Sequence, residues 1–287
     1  MIDLRAYPLK RVNSLTKYPS IPTYHGIDIE QHKLVEPRFY PPVNFGPVAV
    51  PVVVTEKING TNGRIVFTRN DYFIGSREEF VYAKDDYMGD HKDGVMDALK
   101  PLAERFVRES NGMNEVDTRC VCVAYFEVYG GRINWAKHYT STEQVGVRLF
   151  DVACILDSEE MLQKEPEKIA AWRDHGGQHF LDAHTMRQWA GTWATHARLG
   201  IPVVPEILSP LGGRFTSFDL KSESLAQTLE WLLPVCGRSS KAALDEGATG
   251  APEGIVVRTP DRSVIAKLRI EDYERALRPP QGRKKGS

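Results

Sequence analysis

The sequence predicts an α+β domain with a largely antiparallel sheet, and three observations support this. Short β-branched and aromatic runs, which indicate strands, occur in both halves of the chain. Helix-like stretches are grouped between these runs and do not alternate with them singly, as βαβ units would require. The Gly-Gly pairs mark turns and do not form a dinucleotide-binding fingerprint, and the chain shows no internal repeat.

The elements follow in chain order. Residues 1–48 are rich in proline and aromatics, so we expect an extended segment packed on the core and not helices. Strands are then predicted at Val52–Val54, Arg64–Phe67, Tyr72–Ile74, Val121–Tyr129, Val145–Ile155, Val203–Leu208, Gly254–Val257 and Val264–Leu268. Helices are predicted at Met96–Glu109, around Leu225–Leu233, and in a helical insert at 158–199. The main domain is thus predicted at 49–275, followed by a basic, disordered tail at 276–287.

Composition limits the function classes. The 37 Lys and Arg residues against 38 Asp and Glu give a net charge of -1, so nucleic-acid binding would need a local basic surface. We find no signal peptide and no apolar run of membrane-spanning length, and we expect no membrane partner. The four cysteines lack C-x-x-C spacing, and Cys120 with Cys122 should be small buried hydrophobes on one strand face. Without a disulfide framework, a cytoplasmic location is expected.

The stretch from Thr55 to Arg64 places a lysine at the mouth of a tight turn between two apolar strands. Gly60 and Gly63, with two asparagines, give the backbone freedom that such a turn needs. Lys57 in this position can lose part of its hydration, and a less hydrated amine is more easily freed to attack. On this stretch alone, an ordinary surface lysine beside a hairpin explains the pattern better.

Polar residues also lie in or at the end of later predicted strands. Glu127 is a carboxylate in an apolar run and needs a partner if buried. Phe150 lies in a strand and can present its ring to a base, whereas Glu253 lies at a turn that enters a β-branched strand. Lys267 and Arg269 project from one strand face and suit a phosphate chain. Singly, each has a structural explanation as an internal acceptor, a core aromatic or a solvated edge.

Taken in order, these residues resemble the motifs of the covalent nucleotidyltransferases, the superfamily of ATP-dependent ligases and RNA-capping enzymes. Motif I is similar to Lys57-Ile58-Asn59-Gly60, and motifs III and IIIa are similar to Glu127 and Phe150. Motif IV is similar to Glu253-Gly254-Ile255-Val256, and motif V to Lys267-Leu268-Arg269.

The surrounding residues are similar to the RNA ligase 2 group. They include Lys17 to Ile21 upstream, Glu56 before the lysine, Gly75-Ser76-Arg77 after it, and Gly200 to Pro205 before motif IV. The resemblance covers most of residues 15–270. It implies a ligase-type, ATP-grasp-like nucleotidyltransferase domain with mostly antiparallel sheets around a nucleotide pocket.

The resemblance also implies an ATP-dependent RNA ligase of RNA repair. In such enzymes a lysine attacks the α-phosphorus of ATP and forms a lysyl-AMP intermediate, here on Lys57. AMP then passes to an RNA 5′-phosphate, and a 3′-hydroxyl seals that end. Such phosphoryl transfer depends on positioning and charge neutralisation, so ATP and Mg²⁺ (or Mn²⁺) are the implied cofactors and RNA is the implied partner.

Roles for the phosphate side of the site follow from the resemblance. Lys57 would be the nucleophile, and Lys267 would neutralise the α-phosphate and help to keep Lys57 deprotonated. Arg269 would contact phosphates beside it, and Arg77 the phosphates or the ribose edge. Glu253 would bind the metal directly or through water.

Roles for the nucleoside side follow in the same way. Glu127 would accept hydrogen bonds from ribose hydroxyls, Phe150 would stack on adenine, and Glu56 would frame the adenine pocket. Asn59 departs from the usual Asp or His of motif I. An amide cannot act as an acid, so we expect slower or differently pH-dependent self-adenylylation. Arg269 replaces the usual lysine of motif V, which keeps the charge but changes the geometry.

Only 20 residues follow Lys267, so we expect this chain to lack the separate C-terminal domain of many relatives. The N-terminal segment and the insert could take over substrate contact, a protein partner could supply it, or the chain could be truncated. Three tryptophans of the insert could stack on bases, although their helical spacing favours core packing: Trp172, Trp189 and Trp193. The insert also contains His175 and His179, which flank Gly176-Gly177 and are expected to be loop residues.

Two alternatives remain open. One is a nucleotidyltransferase with another acceptor, namely a DNA nick, an RNA cap or a protein. The other is a catalytically inactive module that only binds nucleotide. The presence of both Lys57 and Lys267 favours an enzyme, because a binding module has no need of a nucleophile.

Overall fold

The computed structural model describes residues 2–28, 33–39, 45, 49–89, 94–110, 120–195, 201–208, 213, 215–217, 220 and 224–278. The strands are β1 (His25–Asp28), β2 (Lys33–Phe39), β3 (Pro51–Lys57), β4 (Thr61–Phe67), β5 (Tyr72–Ser76), β6 (Phe80–Ala83), β7 (Asp86–Tyr87), β8 (Val121–Gly130), β9 (Val145–Ile155), β10 (His179–Phe180), β11 (Phe215–Thr216), β12 (Gly254–Arg258) and β13 (Ile265–Arg269). The helices are α1 (Leu9–Thr16), α2 (Val95–Ser110), α3 (Ser158–Leu162), α4 (Pro166–Asp174), α5 (Ala183–Thr195), α6 (Leu225–Cys236) and α7 (Ile270–Leu277).

The larger sheet has seven strands in the order β10-β9-β8-β4-β5-β6-β7, and each neighbouring pair is antiparallel. Successive residues of a strand face opposite sides, so Ile65 and Phe67 pack on one side of the sheet and Val66 on the other. Helices α2 and α5 cover the first side, and α1, α3 and α4 cover the second. The sheet is therefore buried on both faces.

The smaller sheet has four strands in the order β11-β3-β12-β13, and these pairs are also antiparallel. Its core contains Val54, Ile255 and Leu268 together with residues of α6 and α7, and the β1–β2 ribbon packs beside it. The predicted α+β class with mostly antiparallel sheets is confirmed. Among the described helices, none has the length and apolar character required to cross a membrane.

The segment 201–208 joins the two sheets. A strand was predicted at Val203–Leu208, and this is wrong: the segment makes only isolated bridges, from Val203 to Leu149 and from Glu206 to Thr55. Pro202 and Pro205 lack backbone N–H groups, so a regular ladder cannot form. The segment instead bonds to β9 through Leu149 and to β3 through Val54 and Glu56, and so fixes the spacing between the sheets.

The N-terminal segment is not extended throughout. Leu9–Thr16 forms helix α1, so the expectation of a segment without helices is wrong there. The prolines flank this stretch and do not interrupt it, and Val12 and Leu15, three residues apart, are fully buried against the larger sheet. The composition of the whole segment therefore concealed a local amphipathic pattern.

The predicted insert contains helices α3, α4 and α5, but also strand β10, so His179 is a strand residue and not a loop residue. Trp172 and Trp189 pack against the cores on the two sides of the larger sheet, as their spacing indicated. The side chain of Trp193 lies outside the described residues. Helix α7 continues to Leu277, across the predicted start of the tail, and residues 279–287 are likewise outside the description.

Candidate active site

A cleft of about 580 Å³ lies between the two sheets, a size that is typical of ligand pockets. Strands β3, β12 and β13 form one wall, and β8 and β9 form the other. All nine residues predicted for the site line this cleft: Glu56, Lys57, Asn59, Arg77, Glu127, Phe150, Glu253, Lys267 and Arg269. The fold thus brings together residues that are up to 213 positions apart (269 minus 56) in the sequence.

Three cations face the cleft from the smaller sheet. Lys57 pairs with Gly254 of β12, and Gly254 pairs with Arg269 of β13, so these three residues form one row across the sheet. Lys267 lies two residues before Arg269 and therefore points to the same side. A Cβ atom on Gly254 would lie 2.0 Å from the carbonyl oxygen of Leu268, so the middle of the row has no space for a side chain.

Glu253 lies between these cations. Its Oε2 atom accepts a hydrogen bond from Lys57 Nζ at 2.5 Å, and its Oε1 atom lies 3.6 Å from Arg269 Nη1. Arg269 is also held by Asp272, to which it donates two hydrogen bonds of 2.7 and 2.8 Å. Burial, and then the charges of Arg269 and Lys57, lower the pKa of Lys267. The wall is therefore a cationic surface with one carboxylate at its centre.

Glu127 projects from β8 at the base of the opposite wall, where its carboxylate accepts a backbone N–H from Gly60. Burial, opposed by the charge of Lys57, raises the pKa of Glu127 to about 7. Gly60 is required here, because a Cβ atom would lie 2.4 Å from the carbonyl oxygen of Val128. The turn after the lysine thus packs directly on the strand that carries Glu127.

Phe150 lies at an irregularity in β9. Tyr125 of β8 pairs with Asp151 and Phe126 pairs with Leu149, so Phe150 is the extra residue of a β-bulge. Its ring makes an edge-on contact with Tyr18, with the ring centroids 5.0 Å apart. The bulge and this contact direct the phenyl ring into the cleft.

A buried ionic network supports this aromatic corner, and sequence analysis missed it. The Asp151 carboxylate accepts from Arg258 at 3.1 Å, from Arg262 at 2.6 Å and from the Tyr18 hydroxyl at 2.8 Å. Its side chain is 1% exposed. The signal in the sequence was a carboxylate inside an apolar strand, directly after Phe150.

Glu56 and Asn59 are anchored on either side of Lys57. Glu56 is buried, and its carboxylate accepts from the hydroxyl of Ser240 and from the backbone N–H of Lys241. Burial raises the pKa of Glu56. The backbone N–H of Asn59 donates to the Tyr139 hydroxyl at 2.7 Å. Glu56 therefore frames the cleft through a fixed loop and does not offer a free carboxylate.

Arg77 lies at the rim of the cleft with its side chain 73% exposed, on a turn that a second arginine holds in place. The fully buried guanidinium of Arg64 donates to the carbonyl oxygens of Ser76 and Arg77. Burial lowers the pKa of Arg64 to about 10. A Cβ atom on Gly75 would lie 2.9 Å from this guanidinium, so a glycine is needed there. Sequence analysis identified Arg77 but not Arg64.

A protein-family model described as RNA ligase matches residues 50–269, which contain every strand of the cleft walls. The chain belongs to the RNA ligase family. The predicted membership of an RNA ligase-type nucleotidyltransferase group is thereby confirmed. Comparison with curated proteins gives no match.

Solved structures of the Naegleria gruberi RNA ligase have a similar fold. One variant of that ligase, solved with ATP and Mn, matches with a TM-score of 0.51 and 14% identity, over 91% of this chain and 62% of that chain. A second variant, also with ATP and Mn, gives a TM-score of 0.52 and 13% identity, over 91% of this chain and 64% of that chain. At such identities the likeness concerns the fold. The RNA ligase chain described here spans less than two thirds of the length of these relatives.

Proposed function

We propose that this protein is an ATP-dependent RNA ligase that forms a covalent lysyl-AMP intermediate on Lys57. The observation that carries the proposal is the row of cations on β3 and β13. Lys57, Lys267 and Arg269 line the same cleft as the carboxylate of Glu127 and the aromatic ring of Phe150, which lie on the opposite wall. Family membership and the ATP-bound state of the structurally similar Naegleria ligase variants support the nucleotide assignment.

In the first step the Lys57 amine attacks the α-phosphorus of ATP. A nitrogen–phosphorus bond forms, the bond to the bridging oxygen breaks, and pyrophosphate leaves. The ion pair between Lys57 and Glu253 has to open before this attack, because the amine lone pair must face phosphorus and not the carboxylate. Lys267 and Arg269 neutralise charge that develops on the phosphate oxygens.

The nucleoside would lie against the other wall. Phe150, fixed by the bulge and by Tyr18, offers its face to adenine. Glu127 is ionised above a pH of about 7 and can then accept hydrogen bonds from both ribose hydroxyls. A phosphate chain would extend from there toward the cations of the opposite wall and toward Arg77 at the rim.

The cleft also fits a divalent cation. Mg²⁺ binds one or two carboxylates together with phosphate oxygens and water, and Glu253 lies among the cations that would hold the phosphates, with Glu127 near it. Glu253 is the residue that would hold the ion. When bound, Mg²⁺ would supply charge neutralisation for the leaving pyrophosphate.

We propose RNA as the acceptor, contacted at the loop after β8. Trp135 lies there with 58% of its surface exposed and with a left-handed backbone, φ 68°. The exposed cations Arg132 and Lys137 flank it. The loop is joined to the turn after Lys57, because the Tyr139 hydroxyl accepts a hydrogen bond from the backbone N–H of Asn59. An exposed indole between cations suits a stacked base and its phosphates.

Self-adenylylation tests the proposal directly. The protein is incubated with α-labelled ATP and Mg²⁺, denatured, and examined for covalent label, first in the wild type and then in Lys57→Ala. We expect label in the wild type and none in this variant. The matched control is Lys164→Ala, which removes an exposed lysine paired with Glu160 at 2.8 Å and should keep the label. Absence of label, or label that survives Lys57→Ala, would reject the enzyme in favour of a nucleotide-binding module.

Two further experiments test the alternative nucleotidyltransferases, which would form the same kind of lysyl–nucleotide adduct. Labelled GTP replaces ATP in the first experiment, and a preference for GTP would indicate a capping enzyme. Nicked and single-stranded RNA and DNA with 5′-phosphate ends are offered in the second experiment. We expect sealing of RNA; sealing of DNA alone would overturn the assignment of the acceptor while leaving the lysyl-AMP step intact.

A further inference from the structure

Three of the four cysteines meet on one side of the larger sheet. Cys122 of β8 pairs directly with Cys154 of β9, and Cys120, the residue directly before β8, lies two residues before Cys122 on the same side. Sequence analysis placed Cys120 and Cys122 together but could not include Cys154, which lies 32 residues later. The contact exists only because β8 and β9 pair in this register.

The sulfur atoms have the spacing of metal ligands. Cys120 Sγ lies 3.8 Å from Cys122 Sγ, and Cys122 Sγ lies 3.9 Å from Cys154 Sγ. All three sulfurs lie within 4.8 Å of one another. Tetrahedral zinc with Zn–S bonds of about 2.3 Å separates its sulfur ligands by about 3.8 Å. Two edges of such a site are thus already present, and the third closes with a displacement of about 1 Å.

A fourth candidate ligand lies on the neighbouring strand β10, outside the group of ligand atoms that lie within 4.8 Å of one another. His179 of β10 pairs directly with Cys154, so its side chain projects from the same side of the sheet as the three cysteines. Cys122 and Cys154 are partly accessible and His179 is exposed, so an ion can enter from solvent. Three thiolates and one imidazole are a ligand set of structural zinc sites.

We propose that Cys120, Cys122, Cys154 and His179 form a binding site for a thiophilic metal ion, Zn²⁺ in the first instance. Binding replaces the thiol protons by the metal, with no change of oxidation state. Among the described residues, the three cysteines are the one group of three or more Cys, His, Asp or Glu ligand atoms close enough to share an ion, and His179 would complete the site by turning its ring toward them. The site is independent of the proposed ligase chemistry, because Cys122 lies five residues, about 17 Å, before Glu127 along β8.

The proposed role of the metal ion is to stabilise the pairing of strand β10 at the edge of the larger sheet. Strand β10 pairs with β9 through two residues only, His179 and Phe180, and lies between helices α4 and α5. A metal held by these residues would tie this edge to β8 and β9, the strands that also carry Glu127 and Phe150. Because the ion binds the folded arrangement, it stabilises that arrangement by mass action.

The test is a titration of the reduced, chelator-treated full chain with Co²⁺, followed by displacement with Zn²⁺. We expect thiolate-to-cobalt charge-transfer absorption that saturates at one ion per chain, disappears on addition of Zn²⁺, and is lost in Cys154→Ser and in Cys122→Ser. Loss of a group that only orients a metal ligand weakens metal binding about tenfold or more. His179 is proposed as a ligand itself, so His179→Ala should weaken Co²⁺ binding at least about tenfold. The matched control is Cys236→Ser, because Cys236 is a buried cysteine of α6 and should leave the titration unchanged.

Alkylation of the wild-type chain gives a second measurement that does not depend on the folding of variants. Zn²⁺ should slow the alkylation of Cys122 and Cys154, read by mass spectrometry, relative to the chelated protein. The proposal is overturned if the reduced wild type shows no thiolate-to-cobalt absorption, if that absorption survives Cys154→Ser, or if Zn²⁺ leaves the alkylation rates unchanged. A metal-free purified chain with a Cys122–Cys154 disulfide would overturn it as well.

Discussion

Lys57 and Glu253 form an ion pair across the end of two adjacent strands, with Nζ and Oε2 2.5 Å apart. The backbone reinforces the pair, because the N–H of Glu253 donates to the carbonyl oxygen of Lys57 at 3.1 Å. The side chains of both residues are partly exposed, 24% and 15%, so a ligand in the cleft can reach them. The proposed nucleophile and the proposed metal ligand therefore hold each other until nucleotide and metal separate them.

Glu253→Gln should lower the rate of self-adenylylation and raise the Mg²⁺ concentration needed for half-maximal rate. The substitution keeps the size of the side chain but removes the charge that attracts the cation. Groups that merely orient metal ligands change metal affinity by about tenfold or more. Because Glu253 is the proposed ligand itself, we expect the Mg²⁺ concentration for half-maximal rate to rise at least about tenfold. The measurement is the initial rate of label incorporation as a function of Mg²⁺ concentration.

The control for this prediction is Glu78→Gln, which alters a carboxylate at the cleft rim that pairs with Lys17 at 2.9 Å. Its Mg²⁺ requirement should match that of the wild type. An unchanged Mg²⁺ requirement in Glu253→Gln would assign the metal to another residue and leave Glu253 as a partner of Lys57 alone.

Glu127→Gln should stabilise the protein at pH 8 and have little effect at pH 5. Burial raises the pKa of Glu127 to about 7, so the folded state holds this proton more tightly than the unfolded state. The contribution of Glu127 to stability is therefore present at low pH and decreases as the pH rises through 7. Removing the carboxylate should increase the free energy of unfolding at pH 8 by about 1–3 kcal/mol, allowing for its partial exposure to solvent in the cleft.

Denaturant unfolding of the wild type and of Glu127→Gln at both pH values measures this difference. Glu143→Gln is the matched control, because Glu143 is 80% exposed and its substitution should have the same small effect at pH 5 and pH 8. The structure indicates that Glu127 is desolvated. Equal stabilisation by Glu127→Gln at the two pH values would contradict this. Glu127→Gln should also weaken nucleotide binding, because a buried charge that destabilises the fold is commonly kept for function.

Asn59→Asp should change the pH dependence of self-adenylylation. The substitution introduces an ionisable group two residues after the proposed nucleophile Lys57, in place of an amide that cannot act as an acid. It should not disturb the turn, because the anchor to Tyr139 uses the backbone N–H of Asn59. The measurement is the rate of adduct formation between pH 5 and pH 9.

Asn62→Asp provides the control for this profile, because Asn62 also lines the cleft at the other end of the same turn. A general effect of added negative charge would shift the pH–rate profiles of both variants equally. A specific role of position 59 should shift the profile of Asn59→Asp alone. An unaltered pH–rate profile in Asn59→Asp would show that this position takes no part in proton transfer or in binding the leaving group.

Most cleft residues could be predicted because they are charged or aromatic residues in or beside apolar strands, and because their order along the chain resembles the motifs of a known family. Strand periodicity alone placed Lys267 and Arg269 on one face, and the structure confirms this placement. The class of fold could be predicted for the same reason. What could not be predicted depends on pairing between distant strands: Asp151 meets Arg262 across 111 residues, and Cys122 meets Cys154 across 32.

Two further failures have local physical causes. The proline content of residues 1–48 as a whole does not predict helix α1. The helix occupies eight proline-free residues within that segment and has one buried face. The strand predicted at Val203–Leu208 satisfied the apolar pattern but contained Pro205, which removes a donor from any ladder. In both cases the position of proline, and not its frequency, decided the structure.

Asp151→Asn should destabilise the protein strongly. It would leave the guanidinium groups of Arg258 and Arg262, 5% and 11% exposed, without their carboxylate. Breaking a buried ion pair in this way costs about 3–5 kcal/mol. Because Tyr18 also loses its acceptor and contacts Phe150, nucleotide affinity should fall together with stability.

Denaturant unfolding measures the first effect, and nucleotide titration measures the second. Asp71→Asn is the matched control: it breaks the pair with Arg5, which is 42% exposed, and should cost less than about 1 kcal/mol. A loss of the same small size in Asp151→Asn would mean that water already solvates the network.

Trp135→Ala should reduce RNA sealing while leaving self-adenylylation unchanged. The indole is exposed on the loop after β8, and its ring contacts His138, whose Nδ1 atom lies 3.1 Å from the carbonyl oxygen of Ala251. A stacked base contributes about 1–3 kcal/mol, so binding of a nicked RNA should weaken by about 5- to 150-fold. RNA binding is measured by titration at fixed salt, and adduct formation is measured in parallel on the same preparation.

The control is Tyr87→Ala, which removes another exposed aromatic side chain, 63% accessible, from strand β7 at the far edge of the larger sheet. It should change neither RNA binding nor adduct formation. Replacing Arg132 and Lys137 by alanine should in addition reduce the salt dependence of RNA binding, because phosphate contacts release counterions. If Trp135→Ala lowers adduct formation as much as RNA binding, the loop supports the turn after Lys57 through Tyr139 and does not contact the acceptor strand.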